Sequence, residues 1–523
     1  MAENTLLVGI DAGDFRTIDR LAEAGEMPAL QSLMNHGFHA ELESSVPPWT
    51  PTAWTSLTSG KNPGKHGIFD FKTTDQERLV NAGDVQTNRI WDYLTIDGQK
   101  SIIVNVPVTH PAPEMEGVLV PGYLGPETDA AEAYPEGVIE ELQNQIGDYR
   151  VYKHGSYDSD KALCDEYIRL MKMRRDAIIY LCNTHEWDFA MVQFQRTDTV
   201  FHELPEEQYI NRVYSRADEY IGDIIDALNP DTTVIASDHG MGPMGDWDFR
   251  INTWLQQKGL LETSLDGLES GWKKPVNETN AEGAQDENDS RSLLSRGITS
   301  LSKAGLTPQL AESLLARIGI DDLVKEVVPA SILQQAVSSG AKINVEASTA
   351  HCPSGPGLGI YCNDDVKPIV IEELRDVTLP GTSEQLFEWV KPSEAVFEGP
   401  HAAAGPDVLM APRRMNNYLS ATISANAFEP TQYQYNHKSD GILIATGPSI
   451  PDGAKRGSQS IYDIAPTLLS MLNIPVDSTF DGEQIESLLK EMVPEKEYQE
   501  RSQNKSSEEF DEVESRLEDL GYL

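Results

Sequence analysis

The segment Thr5-Leu6-Leu7-Val8-Gly9-Ile10-Asp11-Ala12-Gly13-Asp14 decides how the rest of the chain is read. Leu6 to Ile10 is a short unbroken apolar run closed by turn residues, the pattern of a strand buried on both faces of a parallel sheet. Helical patterns follow it through Leu21 and Leu33. Asp11 therefore stands at the carboxyl end of a parallel strand, where open α/β sheets place their sites. Gly9-x-Asp11-x-Gly13 is not the GxGxxG of a dinucleotide fold. Alone, Asp11 serves equally well as a helix-cap or turn aspartate.

Working outward, Ser101–Val106, Val118–Val120, Phe189–Phe194, Thr232–Ala236 and Gly441–Ala445 read as further strands. Between them, Tyr209 to Leu228 repeats Ile210, Val213, Ala217, Tyr220, Ile221, Ile224 and Leu228 at helical spacing. This alternation predicts an α/β fold, a doubly wound and mostly parallel sheet. The pattern lapses over about 265–295, where Lys273 to Asp289 is polar, and a flexible acidic loop is expected there. A helical pattern resumes over 296–335. Gly357–Cys362 and Ala395–Phe397 then predict strands of a smaller α+β insertion. The expected organisation is a core of residues 1–245 and 430–485, a cap of residues 246–429 and an acidic helical tail of residues 486–523.

Lys and Arg number 41 against 84 Asp and Glu, a formal charge of −43. That excludes a sequence-independent nucleic-acid binder, which needs a basic footprint. Spread along the chain, such acidity suits a halophilic protein in molar salt, where the Debye length falls to about 3 Å and self-repulsion is screened. Cys164, Cys182, Cys352 and Cys362 form no CxxC pair and read as buried thiols of a reducing compartment. The chain enters a strand at Thr5 with no signal-like core before it, and no apolar run is long enough for a bilayer. Cytoplasmic localisation without a membrane partner is the expectation; oligomeric state is not encoded in any pattern here.

Chemistry concentrates elsewhere. Pro47-Pro48-Trp49-Thr50-Pro51-Thr52-Ala53-Trp54-Thr55-Ser56-Leu57-Thr58-Ser59-Gly60, running on to Gly64-Lys65-His66-Gly67, packs hydroxyls, prolines and glycines together. A hydroxyl needs a base or a metal to become a nucleophile. Asp198 and His202 lie four residues apart after one strand, Asp238-His239 directly follows another, and His437 precedes the strand at Gly441 in what reads as a polar turn. Singly, Asp198/His202 also reads as a helical salt bridge and His437 as a structural or exposed histidine, whereas Asp238-His239 is the stronger signal, because two adjacent ligand-type side chains after a buried strand are costly to bury unpaired. Jointly they offer three carboxylates and three imidazoles on one rim, a donor set that suits zinc best, with manganese or iron also fitting.

The ordered set resembles the alkaline phosphatase superfamily, and most of all its type I phosphodiesterase/nucleotide pyrophosphatase branch. It comprises Asp11, Thr50 in its Thr-Pro-Thr-Ala-Trp-Thr segment, Pro63-Gly-Lys-His-Gly-Ile68, Asp198/His202, Ser237-Asp-His-Gly-Met241, His437 and Asp463-Ile-Ala-Pro-Thr467. The resemblance implies an alkaline phosphatase-like fold. It also implies two divalent metal ions, one held by Asp198, His202 and His437, the other by Asp11, Asp238 and His239 with the Thr50 oxygen. Thr50, ten residues before Gly60, would be the nucleophile, giving a phospho-threonine intermediate from a small phosphorylated substrate with a phosphodiester or pyrophosphate bond. Ala53 and the lack of an arginine after Thr50 leave the non-bridging oxygens to backbone near Thr50 and Pro51, to Trp54 or to Arg196. His66 reads as structural, while Tyr123, His401 and Lys438 are candidates for substrate contact. A sulfatase is disfavoured, because Thr50 is not a Cys or Ser in Cys/Ser-x-Pro-x-Arg and Cys352-Pro-Ser-Gly355 lacks the arginine. A phosphomonoesterase, a metal-dependent phosphomutase and a silent binding protein on the same scaffold stand as alternatives.

Overall fold

A computed structural model describes residues 4–75, 78–264, 342–353, 357–450 and 457–500. At its centre is an eight-stranded sheet of β1 (Thr5–Ile10), β2 (Phe38–Glu43), β3 (Ser101–Val104), β4 (Gly117–Val120), β5 (Phe189–Phe194), β6 (Thr232–Ala236), β7 (Asp440–Thr446) and β8 (Ser458–Ser460). Their spatial order is β8-β2-β7-β6-β1-β5-β3-β4. Every pairing is parallel except those of β7, which runs against both β6 and β2. The fold is thus α/β with a mostly parallel sheet, as the sequence pattern predicts.

The sheet is covered on both faces. Helices α1 (Phe15–Glu23), α2 (Pro28–Asn35), α3 (Thr50–Ser59), α4 (Asp160–Thr184), α5 (Arg196–Glu203), α6 (Glu207–Leu228) and α7 (Ile464–Met471) do most of this. Leu6, Val8 and Ile10 alternate along β1 into one cluster with Ile18, Leu30, Leu170, Ile178, Ile221 and Ile224. Leu7 points the other way, to Trp54 and Leu57 of α3 and Leu468 and Leu469 of α7. Period-two side chains on a strand buried twice explain why its sequence is continuously apolar. Each such side chain contributes about 1.5–3 kcal/mol when fully buried.

Residues between β6 and β7 build smaller sheets. Ala350–His351, Gly359–Cys362, Val408–Pro412 and Phe387–Pro392 pair antiparallel, while Trp247–Arg250 lies between Tyr418–Ser420 and Phe428–Pro430. Their core residues, including Phe249, Ile360, Phe387 and Met410, share one cluster with Trp49, Tyr123 and Tyr152 from loops of the main sheet.

Two expectations are corrected, and one strand is added. Ala395–Phe397 is not a strand: Ser393–Ala395 forms a short 3₁₀ turn, and the strand is Phe387–Pro392, ended by a proline that cannot extend a ladder. Glu495–Lys496 pairs with Val476–Asp477 as a short strand instead of starting a helix. Strand β2 escapes the apolar-run criterion because its FHAELE alternates buried and exposed positions. The acidic loop at 265–295, the helical pattern at 296–335 and the tail beyond residue 500 lie outside the described residues.

Candidate active site

Parallel registration gathers the site. Strand β1 pairs with β5 (Val8 with Val192) and with β6 (Val8 with Ile235), so all three deliver their following residues to one rim. Asp11 follows β1, α5 opens at Arg196 two residues after β5, and Asp238-His239 follows β6. His437 is in a two-stranded ribbon, not a polar turn: Tyr435–Lys438 pairs antiparallel with Gly240–Pro243, His437 opposite Met241. The ribbon is anchored by Tyr435 packing on Phe201 at 4.9 Å, and so short a strand opposite Gly-Met-Gly-Pro leaves no periodicity to read.

All six ligand-type residues converge. His202 Nε2 lies 3.3 Å and His437 Nε2 3.5 Å from Asp198 Oδ1, and the two imidazole nitrogens are 3.3 Å apart. His239 Nε2 lies 3.3 Å from Asp238 Oδ2 and 3.6 Å from Asp11 Oδ1. The His239 and His437 rings stack at 3.8 Å, so the two groups adjoin.

Second partners fix which nitrogen faces inward. Nδ1 of His239 donates to the Gly240 carbonyl and Nδ1 of His437 to the Pro48 carbonyl, each at 3.0 Å. Burial holds the His239 imidazole well below its ordinary pKa, the His437 charge adding to this, so its Nε2 presents a lone pair to two carboxylates. Burial, then the charges of Asp238 and Asp198, pushes the Asp11 carboxyl well above its usual range, and Asp238 is raised likewise by burial and Asp198. At Asp198 burial also opposes the charge, but the His202 and His437 imidazoles outweigh it and hold the carboxyl well below the usual range. Lone pairs and carboxylates aimed at one another in a buried volume repel unless a cation lies between them. Asp11 Oδ1, Asp238 Oδ2, His239 Nε2 and Thr50 Oγ1 are all buried without a hydrogen bond, so this donor set fits divalent metal.

Thr50 is the first residue of α3 and 1% exposed. Thr55 is excluded as a free hydroxyl because its Oγ1 donates to the Pro51 carbonyl at 2.7 Å, whereas Thr52 Oγ1 is buried and unbonded like that of Thr50. Trp54 does not reach toward a substrate: its Nε1 donates to Asp11 Oδ2 at 2.9 Å. Arg196 turns to the Val151 carbonyl and the Tyr167 ring. Lys438 is spent on the carbonyls of Pro243, Arg414 and Met415 and the Asn416 amide, its pKa lowered to about 8 chiefly by burial. His66 is structural: Nδ1 accepts from Ile68 N, Nε2 donates to Ser56 Oγ, and burial, with Arg89 nearby, takes its pKa down to about 3.

Two residues that hold the site were missed from sequence. Gln193 Nε2 donates to Asp11 Oδ2 at 2.6 Å, and Asn105 Nδ2 donates to the Gln193 carbonyl and side chain. A glutamine inside the apolar run of β5 was the available signal.

The mostly parallel sheet, with three aspartates and three histidines meeting on one rim, fits an alkaline phosphatase-like fold. Residues 5–313 match the model of the type I phosphodiesterase/nucleotide pyrophosphatase family, and the chain belongs to that family. His437 lies beyond the matched span. Among solved structures, human ectonucleotide pyrophosphatase/phosphodiesterase 5 is similar at 14% identity and TM-score 0.52, covering 94% of this chain and 100% of its own. Wild-type alkaline phosphatase PafA is similar at 13% and 0.52, with 93% and 99% covered. Phosphonoacetate hydrolase from Sinorhizobium meliloti 1021, in complex with phosphonoformate, is similar at 14% and 0.50, with 90% and 96% covered. At these identities the likeness establishes the fold. No functionally curated protein matches the sequence. Among the described residues no helix is long and apolar enough to cross a membrane.

Proposed function

We propose that the chain is a metal-dependent hydrolase of a phosphodiester or pyrophosphate bond in a small, nucleotide-type substrate, acting through a phospho-threonine formed on Thr50. The observation that carries this reading is the convergence of Asp11, Asp238 and His239, and of Asp198, His239 and His437, into two groups able to hold a cation, with Thr50 Oγ1 buried and unbonded. Asp198, His202 and His437 would hold one divalent cation, and Asp11, Asp238 and His239, with Thr50, the other; zinc suits the donors best, and manganese or iron also fits. Bound there, the cations would supply Lewis acidity, lowering the Thr50 hydroxyl pKa and offsetting charge on the attacking and leaving oxygens.

The chain's own residues do the rest. Thr50 Oγ gives its proton to solvent and attacks phosphorus in line; its bond to phosphorus forms as the bond to the leaving oxygen breaks, and that oxygen departs with the bonding pair and takes up a proton from water. The amino end of α3, a ten-residue helix with no side-chain cap, turns its first N–H groups to the non-bridging oxygens. Water then displaces Thr50, whose oxygen regains its proton. Trp54 and Gln193 hold Asp11, and the Gly240 and Pro48 carbonyls hold His239 and His437 in place. The reading includes a core of residues 1–245 and 430–485, a cap of residues 246–429 bearing specificity and a tail of residues 486–523. It also includes a salt-rich cytoplasm as the working compartment, supported by the acid excess and four free cysteines.

The test is hydrolysis of bis-(p-nitrophenyl) phosphate in molar KCl with added zinc, comparing wild type, Thr50→Ala and Thr52→Ala. Activity lost in Thr50→Ala and retained in Thr52→Ala is expected. Equal activity of wild type and Thr50→Ala removes Thr50 from the mechanism.

A further inference from the structure

We propose that Tyr214 is a positioning residue for the rim: its hydroxyl holds Ala12 in a strained conformation whose N–H orients the Asp238 carboxylate. The inference rests on the reading of Asp11, Asp238 and His239 as ligands of a divalent cation.

Ile10 to Gly13 form a β-turn, closed by the Gly13 N–H donating to the Ile10 carbonyl at 3.2 Å. Ala12, the third residue of the turn, takes a positive φ of 56°. That position favours glycine, because with positive φ a Cβ crowds the carbonyl that follows it. Ala12 is fully buried and lies directly after Asp11. Backbone of this kind persists only where its surroundings over-determine it.

Three hydroxyls do so here, one on each successive carbonyl of the turn. Thr197 Oγ1 donates to the Asp11 carbonyl at 2.7 Å, the Tyr214 hydroxyl to the Ala12 carbonyl at 2.8 Å and Ser237 Oγ to the Gly13 carbonyl at 3.2 Å. Thr197 and Ser237 are the chain neighbours of Asp198 and Asp238. Tyr214, 1% exposed, comes from α6, a helix that supplies none of the six ligand-type residues.

The Ala12 N–H donates to Asp238 Oδ1 at 3.3 Å, which leaves Oδ2 of the same carboxylate 3.3 Å from His239 Nε2. One peptide plane of Ala12 is thus tied to Asp238 and the other to Tyr214. Fixing both planes fixes the φ between them. With the hydroxyl removed, the second plane is released. Ala12 can then relax toward negative φ, which swings its N–H away from Asp238 and shifts the peptide that joins it to Asp11. The Tyr214 ring makes a separate contact, edge-on against Phe201 at 5.9 Å, beside His202 in α5. Phenylalanine at this position keeps the ring and loses only the hydroxyl.

A tyrosine that merely fills the core would affect stability and leave metal affinity alone. Ala12→Gly separates the two roles, since glycine adopts positive φ without the Cβ penalty and needs no hydroxyl to hold it there.

Zinc affinity is measured by competition with a chromogenic chelator on full-length wild type, Tyr214→Phe, Ala12→Gly and the double variant, beside melting curves of the metal-free proteins. Tyr214→Phe should weaken zinc binding by about tenfold or more. In the Ala12→Gly background the same change should weaken it by less than about threefold, while still lowering the melting temperature through the lost buried hydrogen bond. Zinc affinity of Tyr214→Phe within about twofold of wild type, or an equal loss in both backgrounds, overturns the assignment and leaves the metal reading standing. Failure of wild type to bind zinc overturns both. If Tyr214→Phe does not fold, a folded, zinc-binding double variant supports the assignment and an unfolded one overturns it.

Discussion

Gly9 is the position where one methyl group reaches the site from beneath. A Cβ there would lie 2.4 Å from Trp54 Cη2, 3.0 Å from its Cζ3 and 3.3 Å from Gln193 Cγ. Trp54 and Gln193 are the two side chains that donate to Asp11 Oδ2. Strand β1 cannot retreat, since β5 and β6 pair with it on either side. The overlap of about 1 Å must therefore move Trp54, which is fully buried, at a cost of about 1–3 kcal/mol. Once the indole moves, Asp11 loses an orienting hydrogen bond, and such losses around a metal ligand lower affinity about 10–100-fold. Gly9→Ala should then show both a lower melting point after chelator treatment and weaker zinc binding in competition with a chromogenic chelator. Adding Trp54→Phe removes the overlapping ring edge, so the double variant should be more stable than the sum of the single changes while zinc binding stays weak. Wild-type melting and wild-type zinc affinity in Gly9→Ala would refute the reasoning.

Three further outcomes are expected. Lys61, 1% exposed, is neutralised by Asp477 and Glu500, so Lys61→Met leaves carboxylates unpaired and should destabilise by about 3–5 kcal/mol in chemical unfolding, with Lys61→Arg much milder. His66 has a folded pKa near 3, below its unfolded value of 6.5, so the unfolded chain binds the extra proton first. Stability should be full above about pH 6.5 and fall as pH drops toward 3, and His66→Gln should flatten that part of the profile by up to several kcal/mol. With a formal charge of −43, the melting temperature should rise steeply between about 0.1 and 2 M KCl, and a flat response would remove the halophilic reading.

What was legible in the sequence divides along a physical line. Strands buried on both faces announce themselves as apolar runs, so β1, β5 and β6 were readable, and with them the rim on which Asp11, Asp198 and Asp238-His239 stand. Strand β2 and the ribbon holding His437 were not, because their stability comes from pairing with distant segments and not from their own composition. The same limit hid the neighbours of the site. Trp54 and Arg196 looked like phosphoryl donors by residue type, and only three-dimensional partners showed that one is spent on Asp11 and the other on Val151. Sequence identifies groups with a charge or a proton to give; it does not say which have already given it. At this rim the distinction matters, because the groups left without partners are the ones a cation and a phosphoryl group would complete. Asp11 Oδ1, Asp238 Oδ2, His239 Nε2 and Thr50 Oγ1 would each cost about 1–3 kcal/mol if left buried and unbonded. Three of these atoms, on Asp11, Asp238 and His239, converge closely enough for one cation to satisfy them together, so the stabilisation the fold lacks there is what a bound cation would supply.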